Sequence, residues 1–385
     1  MIYDIIHGNI SLCTTAKKII DTIEFQRLRD IKQLGCCYLV FPCAVHTRFE
    51  HSLGVYHLAK KYVDILNVGG QDNMYFTERE KLCISIAGLI HDIGHGPYSH
   101  LFDDIVPKDK NHEYRSGIIL KMMNEKYSLG FSDDEIDFIL EVINPMKDGY
   151  KYQIISNKNG IDVDRFDYLM RDIHMTGLNY GIEFQRIMNY SKIIDGKIKY
   201  SDKVKTNIED FFHIRFIMYR EVYNHRKVRS LEYMMKEYLR LVEGEINIKG
   251  IVGTDDIDGF MELNDTIINL KGICDMASQI VLRMKTRRIY KIVGEVELKN
   301  VEASWVKDTI VDDEKVVRDI ITIRYYGVLK CEYFSNEKYL KISAKRCGLR
   351  DEISKDINIM SVYSKQEEYD GYALQYFNDL IPIHI

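Results

Sequence analysis

The sequence has few prolines and no stretch of simple composition. Only 5 of its 385 residues are proline, and neither a low-complexity segment nor an internal repeat is visible. A flexible linker and a repeat architecture are therefore not indicated. Hydrophobic residues make up 46% of the chain and charged residues 29%, which is typical of a globular protein that buries its core in one large domain or two.

The chain also lacks the segments that direct a protein into or across a membrane. Met1 to Asp4 show no basic stretch followed by an apolar core, and the longest apolar runs, such as Leu82 to Ile90, are too short to span a bilayer. The 8 cysteines form no CxxC pair, which favours reduced thiols over a disulfide framework. We therefore predict a soluble cytoplasmic protein without a membrane partner, and a nuclear location stays open.

A strong excess of basic charge is absent too. The net charge is -5 and the sequence pI is near 6.2, so the body of the protein is not built to neutralise a nucleic-acid backbone. The basic run at residues 225–229 could bind nucleic acid or nucleotide phosphates, but a solvated face is the commoner case. A nucleic-acid partner is therefore not favoured, and any anion site must be local.

The pattern of apolar residues predicts a mainly α fold. Near-helical spacing covers residues 15–34, with Gly35 as its stop, and capping boxes at Thr77 and Ser132 predict helix starts there. A further helix is expected over 161–175, where Asp164, Tyr168 and Asp172 share one face. The glycines and acidic residues between 244 and 265 fit a loop-rich connection or a capping region in a longer helical layout.

The amino-acid composition of the sequence changes near its C-terminal end. Short β-branched or aromatic runs occupy residues 289–293, 320–326 and 339–343. They predict a helical core followed by a smaller α+β lobe. We place the helical core at 1–243 and the α+β lobe at 244–385.

Histidine and acidic residues gather in the first half of the chain. His91 and Asp92 follow an apolar segment, where a helix would end and present its last side chains together. The other members of the group are His46, His51, His95, His100, His112 and Asp164. Each one alone could equally be a satisfied core or surface group. Together they suit a divalent ion such as Zn, Fe, Mn or Mg, which can activate a water molecule.

Four ordered strings make the sequence recognisable: FQRLR at 25–29, HTRFEHSLG at 46–54, HDIGHGP at 91–97 and GIDVDRFDY at 160–168. They resemble the SAM-and-HD-domain dNTP triphosphohydrolases, and the resemblance is dense to about residue 235. The resemblance covers the HD domain of these proteins, and we expect this chain to lack their SAM domain. An Ile-, Lys-, Asn- and Tyr-rich composition is compatible with a viral homologue.

The resemblance implies a metal-dependent hydrolase that converts a dNTP and water to a deoxynucleoside and inorganic triphosphate. It also implies that 1–243 is the metal-dependent catalytic core and 244–385 an oligomerisation and regulatory lobe. The implied metal ligands are His51, His91, Asp92 and Asp164, with Zn, Fe or Mn at the site and Mg accompanying the triphosphate. Among the family's catalytic positions, His100 is our choice for protonating the 5′ oxygen. His95 and His112 would position water and phosphate. Phosphate contacts are implied for Arg48, Arg165 and Arg215, whose guanidinium groups suit bidentate binding.

Most positions that contact the sugar and the base of the dNTP in this family carry the family's residue in this chain, and a few carry a different one. Residues implied to bind or crowd the deoxyribose are Gln33, Leu34, Tyr168, Asp172 and Tyr223. Arg165 stands where the family has lysine, Tyr219 where it has histidine, and Asn224 where it has glutamine. Base preference is therefore left open.

A regulatory nucleotide site is also matched in part. In the animal enzyme, guanine and deoxynucleotides drive assembly of an active tetramer, so GTP or dGTP as an activator and a homo-oligomer (dimer or tetramer) are implied. The matched residues are Asp21, Gln26, Arg29, Val40, Arg186, Tyr190, Lys203, His225 and Arg287. Glu221 stands where an allosteric arginine is expected, and this reversal of charge should weaken an activator's phosphate contact.

Two other functions stay open on the sequence. One is a different HD-type nucleotide phosphohydrolase, such as a nucleoside monophosphatase or a cyclic-nucleotide phosphodiesterase. The other is a catalytically idle nucleotide- or RNA-binding module. The triphosphate-binding arginines and the sugar-reading residues favour the dNTPase over the first, and the intact ligand set speaks against the second.

Overall fold

The structure is a computed structural model that describes residues 1–68, 75–270, 273–298, 310–312, 315–323, 331, 333–334 and 357–384. It is mainly helical, as the sequence predicts. Its α-helices are α1 (Thr14–Ile20), α2 (Ile23–Gln26), α3 (Arg48–Val68), α4 (Glu78–Ile90), α5 (His100–Asp103), α6 (His112–Tyr127), α7 (Asp133–Ile143), α8 (Val163–Thr176), α9 (Phe184–Asn189), α10 (Lys205–Met218), α11 (Arg226–Ile246), α12 (Ile248–Gly253), α13 (Ile257–Met261), α14 (Asp275–Lys285) and α15 (Asp370–His384).

The strands form three small sheets among the described residues. They are β1 (Ile2–Asp4), β2 (Gly8–Ile10), β3 (Ser191–Ile194), β4 (Lys197–Ser201), β5 (Lys291–Leu298), β6 (Ile310–Asp312), β7 (Val316–Ile323), β8 (Tyr333–Phe334) and β9 (Ile357–Ser364). β1 and β2 pair as an antiparallel hairpin, and β4 lies between antiparallel β3 and parallel β8. The remaining strands form an antiparallel sheet in the order β5-β9-β7-β6.

The chain divides into two compact units. The first combines Met1–Ile214 and Ile248–Asn269 with β8, and the second combines Arg215–Asn247 with the described residues of 270–325 and 348–385. The second unit holds the four-stranded sheet, whose Val316, Met360 and Val362 pack with Ala373 and Phe377 of α15. This is the smaller α+β region that the sequence predicts, while the catalytic and regulatory roles assigned to 1–243 and 244–385 stay predictions.

Helix α3 lies at the centre of the first unit. Apolar residues occupy several of its sides, and Leu53, Val55, Leu58 and Tyr62 are all buried. A helix that is apolar on several sides is stable only when neighbours cover it, and α4 and α8 pack against α3 in this way. The polar residues that α3 carries inward therefore face other helices rather than solvent.

The helix starts predicted from capping boxes are confirmed. The Thr77 side chain accepts from the Glu80 backbone N–H while the Glu80 carboxylate accepts from Thr77, and α4 begins at Glu78. Ser132 and Glu135 make the same reciprocal pair before α7. These signals are reliable because every partner lies within three residues.

The single helix expected over residues 15–34 is wrong. The structure has α1, α2 and a 3-10 turn at Arg27–Asp30 instead. Thr22 accounts for the break, because its hydroxyl caps α2 by accepting from the Phe25 backbone N–H. The apolar spacing survives the break, since Ile20, Leu28 and Ile31 are still buried.

Two further segments differ in detail from expectation. The connection at 244–265 contains the short helices α12 and α13, so the helical alternative describes it better than a loop. The run at 320–326 falls partly within β7, and 324–326 and 339–343 lie outside the described residues. Within the described part of the chain, no helix has the length and apolar character that crossing a membrane requires.

Candidate active site

Three helices of the first unit bring the four predicted metal ligands together. His51 lies in the first turn of α3, His91 ends α4, Asp92 follows it, and Asp164 lies in the first turn of α8. His51, His91 and Asp92 offer donor atoms within 4.8 Å of one another. The side chains of His51 and Asp92 are 1% and 7% exposed, whereas that of Asp164 is 32% exposed, so the group is open to solvent on the Asp164 side.

The distances between these donors suit one shared cation. His51 Nε2 lies 3.2 Å from His91 Nε2 and 3.1 Å from Asp164 Oδ1. His91 Nε2 lies 3.4 Å from Asp92 Oδ1. Ligand atoms bonded to a common ion at about 2.1 Å lie about 3.0–3.4 Å apart. Two imidazoles and two carboxylates are also a donor set that Zn, Fe or Mn accepts.

The electrostatics of the group likewise favour positive charge at its centre. Burial by itself lowers the pKa of His51, but hydrogen bonds to Asp164 and Asp167 outweigh it and raise this pKa to about 10. The pKa of His91 is also raised, because the charge of Asp92 and the hydrogen bond to Asp164 outweigh burial. A divalent cation among these carboxylates supplies the positive charge that they favour.

A buried network behind His51 fixes the orientation of its ring. Asp167 Oδ2 lies 2.7 Å from His51 Nδ1, and Asp167 Oδ1 lies 2.6 Å from His7 Nε2. Arg171 donates to both oxygens of Asp167 and, at 2.8 Å, to Asp4. A carboxylate that holds the far nitrogen of a ligand imidazole sets which nitrogen faces the metal. The N-terminal hairpin β1–β2 thereby supports a metal ligand.

Glycine at position 54 makes room for this network. A Cβ at Gly54 would lie 1.8 Å from Asp167 Oδ1 and 2.7 Å from Arg171 Nη2. Any larger residue at 54 would therefore displace the carboxylate that holds His51.

Arg48 connects the metal group to the neighbouring loop. It is 3% exposed, donates to Asp92 Oδ2, and donates to Ser99 Oγ at 2.9 Å. Burial by itself raises the pKa of Asp92, but the charges of Arg48, His91 and His95 hold it well below its usual range. Arg48 therefore places a fixed positive charge beside the ligand group.

The three histidines predicted to be catalytic form a second group beside the first. The rings of His95 and His112 are stacked at 4.0 Å, and the His100 ring lies 5.1 Å from that of His95. Asp103 completes the group and holds His112 Nδ1 at 2.7 Å. His95 Nε2 lies 3.3 Å from Asp92 Oδ1, so the two groups touch.

Desolvation and positive neighbours keep two of these rings neutral. Desolvation by neighbouring groups, followed by the charges of Arg48 and His112, lowers the pKa of His100 to about 4, although this residue is partly open to solvent. The same causes hold the pKa of His95 well below its usual range. Neutral rings beside a buried guanidinium form a site suited to an anion, because a bound anion offsets the charge of Arg48 and favours protonation of the rings.

The predicted substrate residues of the first unit have varied surroundings. The Gln33 backbone N–H donates to the His46 carbonyl at 3.0 Å, and Asp172 is buried against His46 Nε2 at 2.8 Å. Arg165 pairs with Asp162, one turn before it on α8. Leu34 and Tyr168 are half-buried.

The other predicted substrate residues lie in the second unit, at the end of α10 and on the π-turn Tyr219–Tyr223. The Arg215 guanidinium lies 4.4 Å from the centre of the Tyr219 ring, and the Tyr219 and Tyr223 rings are 5.0 Å apart. Asn224 donates to the Tyr219 carbonyl at 2.8 Å. These residues thus form one local cluster.

The predicted regulatory residues fall in both units. In the first, Gln26 accepts from Arg29 at 2.8 Å, and the Arg29 guanidinium lies 3.5 Å from the centre of the Phe49 ring. The first unit also carries Asp21, Val40, Arg186, Tyr190 and Lys203, and the second carries His225 and Arg287. Glu221 is exposed and lies 3.4 Å from Arg220.

Sequence reasoning missed several residues of the site. Asp167 and Arg171 are four apart on α8, a spacing that marks an ion pair on a helix and could have indicated them. Asp103 follows His100 by three residues, which is a similar clue. Asp4 and His7 reach the site from 167 and 160 residues away along the chain, and no local pattern signals them.

Comparisons with known proteins agree with this geometry. The HD domain model matches residues 48–172, and the HD associated region model matches residues 182–325. An HD domain-containing protein of Acanthamoeba polyphaga mimivirus is 39% identical in an alignment of 339 positions, which covers 77% of this chain and 73% of the viral protein.

Two cellular relatives are similar at a comparable level. The deoxynucleoside triphosphate triphosphohydrolase SAMHD1 homolog of Dictyostelium discoideum is 36% identical over 329 residues, 81% of this chain and 63% of that protein. The deoxynucleoside triphosphate triphosphohydrolase SAMHD1 of Homo sapiens is 35% identical over 351 residues, 77% and 55% respectively. The chain thus spans less than two thirds of the length of these two relatives.

Proposed function

The chain belongs to the family of HD-domain proteins that includes the SAMHD1 dNTP triphosphohydrolases, and on that premise we propose that it hydrolyses dNTPs to a deoxynucleoside and inorganic triphosphate. One observation carries the proposal: the predicted ligands His51, His91, Asp92 and Asp164 lie against the buried Arg48 and a second group of histidines, of which His95 is buried and His100 is exposed. Metal chemistry, anion binding and proton transfer are thereby available at one place.

Each group has a part in the reaction. When bound by His51, His91, Asp92 and Asp164, a divalent ion supplies charge neutralisation and an activated water molecule. Arg48 donates to the phosphate oxygens. The water adds its hydroxyl to the α-phosphorus and releases its other proton to solvent, and the bond from that phosphorus to the 5′ oxygen breaks. Protonated His100 gives the 5′ oxygen its proton and is reprotonated from solvent.

Incubation of the purified protein with each dNTP, with and without GTP, tests this proposal through its products. Separation by anion exchange should show a deoxynucleoside and triphosphate in equal amounts. Release of a monophosphate or of inorganic phosphate would support a different HD phosphohydrolase. Absence of any turnover with Zn, Fe, Mn or Mg supplied would support a binding module.

We expect a preference for deoxyribose. Leu34 and Tyr223 occupy positions that crowd a 2′-hydroxyl in the family, and a buried hydroxyl without a partner costs free energy. The specificity constant for dATP should exceed that for ATP by about 10–100-fold. Leu34→Ala should lower the ratio of the dATP specificity constant to the ATP specificity constant. Val45→Ala, at an exposed position, should leave this ratio unchanged. Equal constants for dATP and ATP in the wild type would contradict this assignment of the sugar pocket.

Control by a guanine nucleotide is part of the proposal. Asp21, Gln26 and Arg29 match the guanine-reading positions, and Glu221 puts a carboxylate where a phosphate-binding arginine is expected. The lost ion pair should reduce the activator's effect on assembly by about 1–3 kcal/mol. Glu221→Arg should therefore strengthen the response of sedimentation and of activity to GTP and dNTPs.

The matched control is Glu245→Arg, which makes the same charge change at an exposed position of α11. A wild type that is fully active as a monomer without GTP would refute nucleotide control. A Glu221→Arg response equal to that of the control would refute the role given to Glu221.

A further inference from the structure

Asp265 is a buried carboxylate outside the groups described above. It lies in a 3-10 turn, Asp265–Asn269, and its side chain is 4% exposed. Oδ1 accepts the Tyr98 backbone N–H at 2.7 Å, and Oδ2 accepts the Lys32 backbone N–H at 2.9 Å. The Tyr98 hydroxyl also donates to the Asp265 carbonyl at 3.2 Å. One residue thus ties together two segments that are 66 positions apart.

The first of these segments is a strained turn that leads into His100. Tyr98 and Ser99 both have positive φ, 57° and 58°. Ser99 combines φ 58° with ψ -116°, the first central position of a type II′ turn, which glycine normally occupies. Two successive non-glycine residues in this region persist only where their surroundings hold them. The two hydrogen bonds from Tyr98 to Asp265 provide such a hold.

The second segment leads into Gln33 and Leu34, the residues expected to read the sugar. Ser99 Oγ donates to the Lys32 carbonyl at 3.0 Å and accepts from Arg48 Nε at 2.9 Å. The two segments and Arg48 are therefore joined directly as well as through Asp265. The cost of burying the Asp265 carboxylate, which raises its pKa, is offset because each oxygen accepts a backbone N–H.

The segment that carries Asp265 is itself anchored in the first unit. Arg27 donates to the Leu263 carbonyl at 3.0 Å through Nε and stacks over Phe260 at 4.5 Å. Asp265 lies outside the stretch that the HD domain model matches and inside the one matched by the HD associated region. In sequence, residues 248–269 stand between two stretches of the second unit.

We propose that Asp265, from the HD associated region, is a positioning residue of the active site that holds His100 through the Tyr98–Ser99 turn and the sugar-reading residues through Lys32. The proposal rests on the dNTPase function proposed above. Asp265 contacts no metal ligand among its hydrogen-bond partners, so its loss should misplace His100 while leaving the metal in the site.

The test compares Asp265→Ala and Asp265→Asn with wild type. Misplacement by about 1 Å can cost about 100-fold in rate, so kcat of Asp265→Ala should fall about 10–100-fold, with the bound metal per chain unchanged. The preference for dATP over ATP should fall about threefold or more as Leu34 shifts. Asp265→Asn should be intermediate, because its amide oxygen still accepts one of the two N–H groups.

Hydrogen exchange supplies a readout that does not depend on activity. Peptides covering residues 31–34 and 97–101 should both exchange faster in Asp265→Ala, since the Lys32 and Tyr98 amides lose their acceptor. In Asp265→Asn one of the two should exchange faster, since the other amide keeps an oxygen acceptor. Asp258→Ala, an exposed acid of the neighbouring helix α13, is the control and should match wild type throughout. Ser99→Ala removes the direct hydrogen bonds that join the same turn to Lys32 and Arg48. It should also lower kcat while the metal is retained, so the proposal stays testable if Asp265→Ala does not fold.

The outcomes separate the two proposals. Wild-type kcat and selectivity in Asp265→Ala would overturn the positioning role, even if exchange accelerates. Unchanged exchange at both segments would overturn it as well. Absence of dNTP turnover in the wild type would refute the proposed function instead, and the exchange comparison would still decide whether Asp265 holds the two segments.

Discussion

Asp164→Ala is expected to lose both the bound metal and dNTP turnover. Asp164 Oδ1 lies 3.1 Å from His51 Nε2 and 3.5 Å from His91 Nε2, so its removal leaves two imidazoles and one carboxylate around the ion. Desolvation raises the pKa of Asp164, but hydrogen bonds to His51 and His91 outweigh it and hold this pKa below its usual value, which keeps the carboxylate ionised as a ligand must be. Loss of the ion removes several kcal/mol of transition-state stabilisation, about 1000-fold in rate.

The measurement is metal content by mass spectrometry together with kcat on dGTP or dATP. His91→Ala should behave in the same way, because it removes another donor of the same group. Asp134→Ala, at an exposed position of α7, is the matched control and should retain both metal and activity. A folded Asp164→Ala protein with wild-type turnover in added metal would refute the ligand assignment.

His100→Asn is expected to lower kcat about 100–10,000-fold without loss of metal, the range typical of a missing general acid. His100 contacts the other histidines and is not one of the proposed ligands, so its effect should be confined to proton transfer. His174→Asn makes the same substitution at an exposed position of α8 and serves as the control. A kcat within tenfold of wild type would refute the role of His100.

The pH profile supplies a second signature of this residue. Desolvation by neighbouring groups and the charges of Arg48 and His112 lower the pKa of His100 to about 4, so the ring is neutral near pH 7 before substrate binds. A bound triphosphate is anionic and raises that pKa. Because a general acid must be protonated, kcat should fall as pH rises through the pKa of His100 in the complex. This basic limb should be absent from His100→Asn.

The amino-acid sequence alone predicts the ligand set because the signal is concentrated in short strings. His91 and Asp92 are adjacent, His51 lies within a nine-residue motif, and Asp164 lies in another. Side chains that close a helix or follow it directly are placed by the helix itself. The capping residues Thr77 and Ser132 are predictable for the same reason, since each bonds to a backbone group three residues away.

The break in the predicted helix at 15–34 marks the limit of such patterns. Apolar spacing reports which residues are buried, and Ile20, Leu28 and Ile31 are buried as expected. It does not report that Thr22 caps a new helix within the run. Periodicity is thus a better guide to the core than to the bounds of the elements that supply it.

What the sequence by itself determined is the mainly α fold and a ligand group whose members stand in recognisable local motifs. Only the tertiary structure decided what supports that group: His7 behind Asp167, Arg48 between Asp92 and Ser99, and Asp265 under the Tyr98–Ser99 turn. The physical reason is distance along the chain. A hydrogen bond between residues 160 or 167 positions apart leaves no periodic or local trace, because its partners meet only when the helices between them have packed.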